Sequence, residues 1–123
     1  LSAKTYQVLV SGNFEHNLAD IEQFLSAAGA PLAFDGLLDG LANQVIPNLE
    51  KFPVIGPLFL TPDKLSVDIA RALAALRCKL SGSTELHQCR WSDYLLLYAW
   101  EGQTVTLLSI RHHRQLSFDL SSI

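Results

Sequence analysis

Four consecutive residues, Arg111, His112, His113 and Arg114, follow directly on the apolar, β-rich run Thr104-Val105-Thr106-Leu107-Leu108-Ser109-Ile110. A strand does not need four cationic or titratable groups at its end. They stand where the chain leaves a core and meets solvent or a partner. Guanidinium groups fork onto phosphate or carboxylate oxygens, and imidazoles exchange protons near neutral pH. Strand alternation sends Arg111 and His113 to one face and His112 and Arg114 to the other. One pair could then hold a phosphate or a partner's carboxylates. The plainer alternative is a solvated strand end, or a charge seam against the protein's own acidic helices.

His87, Arg90 and Trp91 form a second group, on an upstream strand. Should that strand lie near the last one, His87 and His112 could act as a general acid and base on RNA. The plainer expectation is a surface position for His87 between Glu85 and Cys89. The aromatic set Tyr6, Trp91, Tyr94, Tyr98 and Trp100 sits in apolar strands, which favours core packing over base stacking. Other chemistry finds no support. The chain has no Gly-rich phosphate loop, and Ser109 lacks a nucleophile-elbow context. Its carboxylates are scattered. Cys78 and Cys89 are not in a CxxC, so no metal or other cofactor is expected. A disulfide between them is one alternative, reduced thiols in a cytosolic protein the other, and the second is expected.

The 123 residues suit one domain, and 49% hydrophobic content is enough for a core. No apolar run is long enough to span a membrane. Leu1-Ser2-Ala3-Lys4 is not followed by a signal-peptide h-region, so a cytoplasmic location is expected. Net charge is −3, with the acids matched by bases only in the C-terminal half. A broad electrostatic grip on nucleic acid is therefore not expected.

These groups must be positioned by the elements around them. Residues 5–10 alternate and predict a first strand. Ser11 or Asn13 can cap a helix carrying Phe14, Leu18, Ile21, Leu25 and Ala28 on one face. Gly29 ends it and Pro31 opens a second helix, with Phe34, Leu38, Leu41, Val45 and Leu49 as its stripe. Gly36 and Gly40 would admit a neighbouring helix closely. Pro47 predicts a kink or an end near 43–46. Phe52-Pro53-Val54-Ile55-Gly56-Pro57 is a rigid connector. Thr61-Pro62-Asp63 starts a third amphipathic helix, ended by Ser81-Gly82. Strands follow over 84–91, 94–100 and 104–112, with a tight turn at Glu101-Gly102. The unalternating Leu95-Leu96-Leu97 predicts a central strand covered on both faces. The expected fold is α+β: an N-terminal strand, a helical hairpin with an added helix, then a three-strand antiparallel meander.

The segments Trp91-Ser92-Asp93-Tyr94-Leu95-Leu96-Leu97-Tyr98 and Ser109-Ile110-Arg111-His112-His113-Arg114-Gln115 resemble the C-terminal signature of the RelE/ParE toxin superfamily. That signature runs D-Y-x-x-x-Y, then I-R-H-x-R-Q. The connector resembles the family's N-P-x-x-G-R-P element, without its arginine. The resemblance implies a single RelE/ParE-like toxin domain over 1–123, with 61–82 as a helical insertion. It implies a partner, the cognate antitoxin of a type II toxin–antitoxin system such as a plasmid-stabilisation pair. ParE-like members inhibit DNA gyrase, RelE-like members cut messenger RNA on the ribosome, and a degenerate member acting only as a binding module is the third alternative. Carried over, Arg90, Arg111, His113 and Arg114 would bind a partner. His87, His112 and Arg114 would be catalytic in a nuclease. Phe118 stands where several nucleases have tyrosine, and Lys4, Lys51, Lys64 and Lys79 do not cluster near the site. These departures and the net acidity favour the gyrase-inhibiting side. The amphipathic face of the added helix buries against its own core or a second copy, and the homodimer stays open.

Overall fold

The computed structural model describes residues 6–53 and 84–113. The added helix over 61–82, the connector beyond Pro53, Cys78, Arg114 and Phe118 lie outside the described residues.

Strand β1 (Gln7–Val10) leads into helix α1 (Gly12–Ala27) and α2 (Pro31–Gly40). A π-helical turn, Leu41–Val45, joins α2 to α3 (Ile46–Lys51). Strands β2 (Glu85–Trp91), β3 (Tyr94–Glu101) and β4 (Thr104–His112) complete the order. The four strands make one sheet in the order β1-β4-β3-β2. The pairs β2–β3 and β3–β4 are antiparallel, as a meander requires, and β1 lies parallel to β4. A parallel pair needs a long crossover, which the intervening chain supplies. No helix among the described residues is long and apolar enough to cross a membrane.

Local chemistry explains the boundaries. Of the two candidate caps, Ser11 is the one used: its Oγ accepts the Phe14 N–H at 3.1 Å. Gly29, at φ +77°, closes α1. Its N–H reaches the Ser26 carbonyl while the Ala30 N–H reaches that of Leu25, the paired bonds of a Schellman end. Pro47 acts as expected, but by widening the helix. The Ile46 N–H bonds the Leu41 carbonyl five residues back, so the ring is accommodated by a π turn. Both hairpins turn on a first residue of positive φ, Ser92 and Gly102.

The core lies between the sheet and the helices, around Phe14, Leu49, Leu96, Tyr98, Val105 and Leu107. The buried stripe of the second helical stretch is Leu37, Leu41, Val45 and Leu49, while Leu38 is 40% exposed. Steps of four residues keep a stripe on one face, and Leu38 stands about 100° round from Leu37. The expected stripe was therefore one residue off at that point. β3 is central and buried on both faces, with Leu96, Leu97 and Tyr98 at 0% exposure.

The two helical glycines divide. Gly36 has open space where a Cβ would be, whereas a Cβ on Gly40 would enter the indole of Trp91. Among the described residues the close neighbour is thus a tryptophan on β2, and it approaches Gly40 alone. The Trp91 Nε1–H also donates to Gln44 Oε1 at 3.0 Å, fixing the ring against the π turn. Gly40→Ala is expected to cost about 1–3 kcal/mol by overpacking, despite alanine's better helix propensity. Gly36→Ala is expected to gain about 0.5–1 kcal/mol. Urea unfolding reads both, and equal shifts of the same sign would refute the packing assignment.

Candidate functional site

The candidate groups depend on how β4 is held. On one side it pairs with β3 throughout, but on the other β1 pairs only with Thr104, Val105, Thr106 and Leu107. Past that point α1 covers the strand edge, and its side chains take over the hydrogen bonds. The Ser11 N–H donates to the Leu107 carbonyl at 3.0 Å. The Leu108 carbonyl accepts from Asn13 Nδ2 at 2.8 Å and from Ser11 Oγ at 3.3 Å. Asn17 Oδ1 accepts from Ser109 Oγ at 2.6 Å, the Ile110 N–H at 3.2 Å and Asn13 Nδ2 at 3.4 Å. Asn13, Asn17 and Ser109 are all buried. Such groups are costly in a core unless bonded, and here they complete a ladder that β1 leaves unfinished.

The same place carries an irregularity. Leu97 faces Ser109 while Tyr98 faces Leu107, so Leu108 is an extra residue in β4, a β-bulge. Beyond it Ile110 turns to the core and Arg111 away from it. Arg90 pairs with Leu95 on β2–β3, and Leu95 pairs with Arg111 on β3–β4. The two arginines therefore flank Leu95 on the sheet face turned away from α1. Two strand spacings separate their backbones, roughly 10 Å. Arg90 is exposed and Arg111 is half-buried. Burial lowers the Arg111 guanidinium from its ordinary value. Arginine starts so high that it keeps its charge at neutral pH.

His112 points to the helix side, edge-on to the Tyr94 ring at 5.5 Å. Burial, then the Asp93 carboxylate, raises the Tyr94 phenol above its usual value. Alternation predicts His113 beside Arg111, but β4 ends at His112. The Asp93 carbonyl accepts the His113 N–H at 2.8 Å, and the His113 ring packs 4.4 Å from that of His112. Both imidazoles line a cleft of about 630 Å³ between α1 and the ends of β3 and β4. The arginine pair and the histidine pair thus stand on opposite sides of the sheet.

His87 is not on the surface. It is 4% exposed, stacked on Tyr98 at 5.5 Å and 16°, with Nε2 2.9 Å from Glu85 Oε1. Its cross-strand partner Tyr98 and same-face neighbour Trp100 cover it, which spacing along one strand could not reveal. The Tyr98 hydroxyl in turn donates to the Pro53 carbonyl at 2.7 Å. His87 shares the helix-side face with His112, but β3 lies between and the register differs by four residues. That separates their backbones by roughly 16 Å, so they cannot act on one proton. Cys89 is a free thiol, pushed up to about 11 by burial, and is a poor nucleophile. No group of three potential ligands among the described residues could hold a metal ion.

Sequence reasoning missed Asn17 and the load on Asn13. The signal was present: Asn13, Asn17 and Ile21 are spaced by four on the apolar side of α1. Polar residues there require partners from another element. Compared with known families and characterised proteins, the chain matches no family model and no characterised relative.

Asn17→Ala removes the acceptor for two buried donors of β4. The expected loss is about 3 kcal/mol, because stranded donors keep their full desolvation cost. Ser109→Ala, which removes a donor and leaves Asn17 with others, is expected to cost about 1 kcal/mol. Denaturant unfolding of both variants checks this, and a smaller loss for Asn17→Ala would sink the ladder assignment.

Proposed function

We propose that this chain is the toxin of a bacterial toxin–antitoxin pair, of the ParE-like kind: a single domain that binds and inhibits DNA gyrase and is neutralised by a cognate antitoxin. The observation that carries the reading is the alignment of Arg90 and Arg111 across Leu95. Two guanidinium groups on the strands that flank β3 can clamp an anion between them. Such a clamp suits carboxylates on a protein partner, because the chain's net charge of −3 gives little attraction to a nucleic-acid backbone.

The motif residues support the reading by what they do in the fold. Asp93 holds His113 through its carbonyl, Tyr94 closes the core beside His112, and Tyr98 reaches the connector at Pro53. The resemblance therefore covers residues that set the geometry of the β4 end. An RNA-cutting role would call on His87, His112 and Arg114. The buried, stacked ring of His87 weighs against it.

Purified protein is expected to inhibit gyrase supercoiling and to trap cleaved DNA complexes. Arg90 is exposed, so Arg90→Glu should leave stability within about 0.5 kcal/mol of the parent. The same change should weaken inhibition by roughly tenfold, as reversal of a contact charge does. Folded protein with no effect on gyrase would overturn the proposal. Cleavage of ribosome-bound message, lost in His112→Ala, would replace it with the nuclease reading.

A further inference from the structure

The cleft between α1 and the ends of β3 and β4 has the parts of a second binding site, on the side of the sheet opposite the arginine pair. Its walls are apolar where α1 supplies Ile21 and Leu25 and the sheet supplies Tyr94 and Ile110. Phe24 stands on its border, 65% exposed. At about 630 Å³ it is large enough for several side chains of a partner or a drug-sized molecule.

Asn17 supplies a directed polar group. Its Oδ1 faces β4, because the Ile110 backbone N–H can only donate and so fixes which end of the amide points there. The Nδ2 end therefore points the other way. Asn17 is 4% exposed and lines the cleft, and among the described residues its Nδ2 has no hydrogen-bond acceptor. An amide donor held in one orientation can donate to a carbonyl oxygen of whatever enters.

Charge selects the occupant. The lining includes the carboxylates of Asp20 and Asp93 and, among the described residues, no lysine or arginine. Each acid has an imidazole within reach, His16 at 3.6 Å and His113 at 3.9 Å. Two carboxylates with no lysine or arginine beside them among the described residues favour cationic groups on whatever enters. The exposed Phe24 ring can also seat a cation against its face.

We propose that this cleft docks a segment of a partner protein that presents apolar side chains flanked by lysine or arginine, with a backbone carbonyl of that segment accepting a hydrogen bond from Asn17 Nδ2. The site shares no arginine with the proposed gyrase clamp and does not depend on which target that clamp engages.

The test uses the full chain, labelled with nitrogen-15, above pH 7. Its probes are two acetylated pentapeptide amides of alternating sequence, one of Leu and Lys and one of Leu and Glu. The Leu/Lys peptide is expected to move the Asn17 side-chain amide signals in a saturable way. The Leu/Glu peptide should bind at least about tenfold more weakly, as like-charge contact requires. Asp20 and Asp93 are exposed, at 55% and 66%, so the double variant D20K/D93K should fold. In that variant the preference should reverse. Signals elsewhere report whether it is folded. Saturable shifts at another surface, no binding of the Leu/Lys peptide, or an unchanged preference in folded D20K/D93K would each overturn the proposal. Displacement of the Leu/Lys peptide by inorganic phosphate would also overturn it, since an anion site would then be the better description.

Discussion

The fold depends on how one strand edge is completed. β4 lies inside the sheet, so both of its edges need partners, yet β1 contributes only Gln7–Val10. Where β1 stops, the chain turns into α1, and backbone-to-backbone pairing on that edge can go no further. Asn13 and Asn17 continue it with side-chain amides, which carry the same donor and acceptor types as a peptide group. Their spacing of four brings both to one line along the helix, facing the strand. The arrangement ties the N-terminal half of α1 to the C-terminal half of β4. Every candidate group on β4 inherits its position from this tie.

That coupling makes the region stiff in one direction and divided in another. Trp91 is wedged against Gly40 and bonded to Gln44, while Tyr98 reaches Pro53. The helices are thus tied to β2 and β3 as well as to β4. The arginines lie beyond these anchors, on the face that carries none of them. Such preorganisation lowers the ordering cost of binding, which is what a protein-binding surface needs.

Much of this was legible in the sequence, for reasons that differ by element. The strands, the hairpin turns and the Gly29-Pro31 junction were readable because local sterics decide them. The break before Pro47 was readable too, although its form as a π turn depends on keeping Leu41, Val45 and Leu49 in the core. Leu37 and Leu38 could not be separated by periodicity alone, since both are leucines and one step apart. The burial of His87 was hidden because its cover comes from across the sheet. Arg90 and Arg111 were each visible as candidates, but their alignment depends on register, and register on β4 depends on a bulge.

The bulge is what decides the chemistry of the β4 end. Val105 and Leu107 are core residues two apart, and the next on that side is Ile110, three further on. Without the extra residue at Leu108, a strict period of two would carry Ser109 and Arg111 to the helix side. Arg111 would then face the Tyr94 position and the core, and Ile110 and His112 would be turned outward. A buried, unpartnered guanidinium would be costly, so this register is disfavoured by the same desolvation that lowers Arg111 where it stands. The bulge instead matches Ile110 to Leu96 and Arg111 to Leu95. The carbonyl of the inserted residue is the one that accepts from Asn13 Nδ2. One buried amide on α1 therefore fixes which side of the sheet is cationic and which side carries the imidazoles.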